Sequence, residues 1–236
     1  MSLPKLKTPT YEFELPSTGE KIKYRPFLVK EQKILMVASE SEEETQMRDA
    51  IIDIISACTF NKIEAVSLPM FDIEMLFLKI RGKSVGEKID VNIKCPDDEK
   101  TVVAVTIDLA DIEVQVDKDH KNVVDITENI KINMRYPTLN DMFGMSGIDT
   151  SEVENIMSLI KKCVHEVHDG ETVHTRIDMS ESDLDEFIES LTTDQFSSLS
   201  NFFESMPKVA HSIEVTNPNT KKKGVVVIQG IQSFFE

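Results

Sequence analysis

A helical stretch that occurs twice sets the frame for the rest of the chain. Ile51-Ile52-Asp53-Ile54-Ile55-Ser56-Ala57-Cys58 aligns without gaps against Ile156-Met157-Ser158-Leu159-Ile160-Lys161-Lys162-Cys163, 105 positions later, and both copies end in cysteine. A second pair of segments lies 122 positions apart, with Val91, Ile93, Pro96, Lys100, Val103 and Val105 answered by Ile213, Val215, Pro218, Lys222, Val225 and Val227. Arg25-Pro26 and Tyr136-Pro137 each introduce a helical region. Self-similarity of this kind marks a unit used more than once. It predicts an internal duplication of pseudo-twofold character, split near residue 111 into halves 1–111 and 112–236.

Hydrophobic periodicity fills in each half. Tyr11, Phe13 and Leu15 alternate with polar residues, Pro16-Ser17-Thr18-Gly19 supplies turn chemistry, and Ile22 and Tyr24 alternate again, which reads as a β-hairpin. Helices follow over Leu28–Val37, after Ser41 as N-cap, and from about Pro69 to Ile80, closed by Gly82 and Gly86. Ile89, Val91 and Ile93, the turn Cys95-Pro96-Asp97-Asp98, and Val103, Val105 and Ile107 make a second hairpin. In the second half Ile112, Val114 and Val116 are expected to form a hairpin with Ile130, Ile132 and Met134 across a polar loop. Helices are expected over Glu152–Val167, from Glu181 to Leu191 behind the cap Ser180, and over Asp194–Ser205. The predicted fold is therefore α+β: two similar ββ-ααα-ββ halves, with antiparallel hairpins packed on helices.

Charge narrows the function classes. The 26 basic and 42 acidic side chains leave a formal net charge of −16, the wrong sign for a protein that grips phosphates. Nucleic acid is not expected as the main partner, and Lys221-Lys222-Lys223 reads first as a solvated hairpin turn. No run approaches the roughly 18 apolar residues of a membrane-spanning helix, and no apolar segment follows the basic N-terminal residues as in a secretory signal. The three cysteines, Cys58, Cys95 and Cys163, are widely spaced and odd in number, which predicts reduced thiols and a cytoplasmic setting.

Catalysis needs a nucleophile with a base, a carboxylate pair in a cleft, or a phosphate cradle, and no such motif has specific spacing here. Cys163, His165, His168 and His174 are ligand types that zinc prefers. On a helix only His165 and His168 would share a face, so the plainer reading is a buried thiol with solvated histidines at a helix C-terminus. Cys95-Pro96-Asp97-Asp98 has aspartate where a zinc knuckle would place its second cysteine. No metal, cofactor, small-molecule substrate or enzymatic activity is expected, and a metal-dependent enzyme is the remote alternative. Ile231-Gln232-Ser233-Phe234-Phe235 either completes the second-half core or docks into a partner.

Four stretches carry a family resemblance. Tyr24 to Gln32, Phe71 to Glu87, and Phe202-Phe203-Glu204-Ser205-Met206-Pro207 with Gly230 to Phe235 resemble the baseplate hub subunit or hub assembly proteins of T-even-like tailed bacteriophages. The resemblance implies a viral late protein that acts in host cytoplasm, in forming the baseplate hub of a contractile tail, and that is either retained in the virion or acts as a transient tail or tape-measure chaperone. Its partners would be other hub or tail proteins, or further copies of itself, with no membrane involved. Contacts are expected at the basic stretch Lys79, Arg81 and Lys83 and at the late hairpin tips, with Asp97 and Asp98 on one and Lys221, Lys222 and Lys223 on the other.

Overall fold

The computed structural model describes residues 6–41, 43–142 and 152–230. They form an α+β fold in which every paired strand runs antiparallel. The chain gathers into two compact units, one of residues 1–115 with 208–236 and one of residues 116–207. These units differ from the halves 1–111 and 112–236 read from the repeat, because the last hairpin joins the first unit.

The first unit opens with the hairpin β1 (Tyr11–Glu14) and β2 (Lys21–Tyr24), followed by α1 (Val29–Ser41), α2 (Glu44–Cys58) and α3 (Met70–Val85). It continues with the hairpin β3 (Lys88–Lys94) and β4 (Val102–Asp108) and the short strand β5 (Glu113–Gln115). The last hairpin, β10 (Lys208–Thr216) and β11 (Lys223–Gln229), makes the sheet β11-β10-β5. Phe71 to Leu78 are all buried along α3, as expected of a helix that is apolar around most of its circumference and sits at the centre of a core. Asp72 is fully buried there; its carboxylate accepts the Ser17 N–H at 3.0 Å and the Ser17 hydroxyl, which fixes the turn of the first hairpin. Ser41 does not cap α2. It is the last residue of α1, its hydroxyl donates to the Ala38 carbonyl, and the α2 N-cap is Glu43.

The second unit contains the sheet β6-β7-β8-β9, made of β6 (Val123–Asp125), β7 (Ile130–Met134), β8 (Val164–Asp169) and β9 (Thr172–Thr175). Its helices are α4 (Leu139–Met142), α5 (Glu152–Cys163), α6 (Glu181–Glu189) and α7 (Thr193–Ser205). Ile132, Met134, Ile160, Cys163, Leu199 and Phe202 are among the residues of its core. Ser180 caps α6 in a reciprocal capping box with Asp183, as the sequence predicts.

Two expectations are corrected here. The strand at Val114 is not the hairpin partner of β7: β5 pairs with β10, and β7 pairs with β6, which directly follows the polar loop of Asp117 to Asn122. The helix expected to reach Val167 stops at Cys163, and Val164–Asp169 is a strand. His165 and His168 are therefore on β8 and His174 on β9. Gly170-Glu171 makes the connecting turn between the paired residues Asp169 and Thr172, with Gly170 at a φ of +61°, and glycine at the first central position suits a two-residue hairpin turn.

Each unit holds an arginine in the same way. The Arg25 N–H donates to the Cys58 carbonyl at 3.0 Å, and its guanidinium donates to the Pro26 carbonyl and to Glu31, each at 2.9 Å. Glu31 also accepts the Leu28 N–H at 2.7 Å. In the second unit the Arg135 N–H donates to the Cys163 carbonyl at 2.8 Å, and its guanidinium donates to the Tyr136 carbonyl at 3.2 Å and to both Asp141 oxygens at 2.6 and 2.9 Å. Asp141 accepts the Thr138 N–H at 2.8 Å. The equivalent of Arg25 is thus Arg135, one position before the Tyr136-Pro137 pair that the sequence alone sets against Arg25-Pro26.

Burial alone would raise the Asp141 carboxyl, but the Arg135 and Thr138 hydrogen bonds outweigh it and hold it down at about 2. A carboxyl depressed below its ordinary value near ~3.9 stabilises the fold above that value and stops doing so as the pH falls toward the folded one. Wild-type protein should therefore exceed Asp141→Asn in stability by about 2 kcal/mol at neutral pH, and the gap should close between about pH 4 and pH 2. Urea unfolding at both ends of that range checks this; a gap independent of pH would refute it.

Candidate interaction surface at the paired hairpin tips

The tips of β3-β4 and β10-β11 have the same local geometry. In the first, the Cys95 N–H donates to the Thr101 carbonyl and the Glu99 N–H to the Cys95 carbonyl. In the second, the Asn217 N–H donates to the Lys222 carbonyl and the Lys221 N–H to the Asn217 carbonyl. Glu99 and Lys221 both take left-handed backbone, with φ of 55° and 62°.

The second turn is one residue shorter. Ile93 pairs with Val103, and Val215 pairs with Gly224, so equivalents stand 122 positions apart before the turn and 121 after it. The gap-free match of Val103 with Val225 and Val105 with Val227 is corrected by this: the structural counterparts are Gly224 and Val226. A one-residue slip turns a strand over. Val103 and Val105 are accordingly half-buried, while Val225 and Val227 are 59% and 54% exposed.

The tips are tied to each other. The Asn217 side chain, 1% exposed, donates to Asp97 at 2.8 Å and to Asp98 at 2.9 Å. The Thr220 hydroxyl donates to Asp97 and the Asn219 amide to the Thr101 hydroxyl. Asn217 Oδ1 accepts the N–H groups of Asn219 and Thr220, ordering its own turn. A Cβ on Gly224 would lie 2.4 Å from Pro96 Cγ, so glycine permits the close approach.

The electrostatics follow from these contacts. The Thr101 hydroxyl first, then the Thr101 and Lys100 N–H groups and Asn217, hold the Asp98 carboxyl well below the usual carboxylate range. Thr220 and Asn217 lower Asp97 in the same way. Both acids thus face the neighbouring tip. Lys221, Lys222 and Lys223 remain exposed, and among the described residues none of their ammonium groups has an ion pair.

The other expected contact residues are near the end of α3. Lys83 pairs with Glu87 at 2.5 Å and lies 5.5 Å from the Tyr11 ring centroid. Lys79 and Arg81 are half-buried, and burial lowers the Arg81 guanidinium. Among the described residues no three His, Cys, Asp or Glu side chains converge as metal ligands. The buried thiols of Cys58 and Cys163 are pushed up to about 11 and about 12 by desolvation, so they are protonated at neutral pH. Ile231 to Phe235 lie outside the described residues. Among the described residues no helix is long and apolar enough to cross a membrane.

Compared with known protein families, residues 8–236 match the family described as T4 bacteriophage base plate protein. The chain belongs to that family. No curated protein and no solved structure matches it. For this base plate family member, the sequence resemblance pointed to the right group. Asn217, Thr220 and Gly224, which it did not single out, are among the residues that join the tips. Asn217-Pro218 standing where the first copy has Cys95-Pro96 was the available signal.

Proposed function

We propose that this base plate protein acts in forming the baseplate hub of a contractile-tailed phage, as a non-enzymatic component that works through contacts with other hub and tail proteins. The observation that carries the reading is the family match across residues 8–236. The tied tips support it, since they hold an exposed basic cluster and an edge strand on a fixed frame, as an interaction role requires. The net charge of −16 also supports a second reading, a hub or tape-measure chaperone that leaves before the particle is complete, because strong like charge keeps a protein apart from its own copies until a partner engages it.

We infer further that the halves 1–111 and 112–236 descend from one duplicated module. Supporting this are the two arginine clasps, each with its acid six positions after the arginine and its cysteine carbonyl as acceptor, and the two tips with their matching left-handed residues.

The deciding measurement is quantitative mass spectrometry of purified infectious particles and of tail precursors from infected cells. A fixed ratio to a known tail protein in particles is the expected result. Presence on precursors alone would assign the chaperone role, and absence from both would end the hub reading.

A further inference from the structure

We propose that β11 is a docking strand for an extended, acidic segment of a different base plate or tail protein, an inference that rests on the assembly role above. Among the described residues β11 is the outer strand of a three-stranded sheet. An outer strand presents unpaired main-chain groups, and natural proteins usually blunt it. Here Val225 and Val227 project from its solvent face, opposite Glu214 and Ser212 of β10. The one-residue shortening of the turn is what puts them outside: at the equivalent positions β4 carries Ala104 and Thr106. The first hairpin thus shows small or polar residues where the second shows an apolar strip.

Charge selects the occupant. Lys221, Lys222 and Lys223 lead into this strip, and their neighbours Asp97 and Asp98 are turned to Asn217 and Thr220. Those hydrogen bonds leave both acids ionised, but Lys100, Lys221, Lys222 and Lys223 outnumber Asp97, Asp98 and Glu99 at the tips, so the local charge at the start of β11 is positive on a chain of net charge −16. A second copy, equally acidic, is repelled at long range. A segment that alternates apolar and polar residues and carries carboxylates at the end near the lysines matches both features. It would extend the sheet by main-chain hydrogen bonds, with side chains on one face covering the two valines.

The test places a photo-crosslinking residue at position 227, with a control at the exposed Val29 of α1, in infected cells, and maps crosslinks in assembled tails and precursors. The expected crosslink joins position 227 to an acidic, extended stretch of another base plate or tail protein. Reversing the lysines (K221E, K222E and K223E together) should lower its yield at least tenfold while the chain still enters the assembly. A crosslink to a second copy, to a helix or to a segment without carboxylates overturns the proposal. So does a yield unchanged by charge reversal, or no crosslink at 227 in particles that contain the chain. These outcomes leave the hub reading intact; that reading falls, and this one with it, if the chain is in neither particles nor precursors.

Discussion

Arg25→Met should cost about 3 kcal/mol of folding stability, the low end of what breaking a buried ion pair does by leaving one charge uncompensated. The side chains of Arg25 and Glu31 are 10% and 3% exposed. Without the guanidinium, Glu31 would keep only the Leu28 N–H at 2.7 Å and the exposed Lys30 ammonium at 3.2 Å. Lys30 is why the expectation is not higher. Two comparisons make the test specific. Arg135→Met in the second unit should cost only about 1–2 kcal/mol, because the Arg135 side chain is 39% exposed and water can replace part of what is lost. Arg25→Met combined with Glu31→Leu should recover most of the loss, since replacing both members of a buried pair is often close to neutral. Urea unfolding of the four proteins reads all of this. Equal losses at Arg25 and Arg135, or no recovery in the double variant, would show that the clasp does not act as an ion pair.

The second large effect is expected at Asn217, where leucine should cost about 2–3 kcal/mol. The amide serves four partners at once: two aspartate side chains and two turn N–H groups. Leaving hydrogen-bonding groups without partners costs about 1–3 kcal/mol each where water cannot reach them, and less where it can. Asp97 is exposed and Asp98 half-buried, so most of the loss comes from the turn. Amide exchange separates the two consequences. Asn217→Leu should accelerate exchange at Asn219 and Thr220 in its own turn and at Lys100 and Thr101 in the facing one. Acceleration confined to Asn219 and Thr220 would mean that the tips do not depend on each other.

What the sequence disclosed follows the strength of local signals. The apolar surround of α3, the alternation in β3 and β10, and the Ser180 cap are encoded within a few residues, and each was readable. Pairing between distant strands is not local. Val114 alternates with polar residues whichever strand it joins, and only the folded chain brings it opposite Val209. β6 was missed because Lys118 to Asn122 are polar and only Val123 and Val124 mark the strand. Val164 and Val167 continue an apolar pattern across Cys163 and so extend the helix after Glu152 too far; Gly170, in the turn between β8 and β9, is the contrary signal.

The candidate surface was legible by address and not by arrangement. Asp97, Asp98 and the three lysines lie at the tips, as read. That the acids would be used internally depends on Asn217 reaching across more than a hundred residues of sequence. The exposed valines depend on a one-residue deletion in a turn, which a gap-free alignment hides because valines occupy both registers.

The pairing of β5 with β10 sets an order of events during synthesis. Gln115 lies opposite Lys208, so the residues between them leave and re-enter through adjacent strands of one sheet. The unit that begins the chain cannot close that sheet until its last strands have left the ribosome, whereas the unit of residues 116–207 is continuous and complete once Pro207 has emerged. Domains generally finish in the order in which they are made; here the first to start is the last to finish. Docking on β11 therefore has to wait until Gln229 has been made, and a chain truncated before β10 would carry the clasps without the strand proposed to receive a partner.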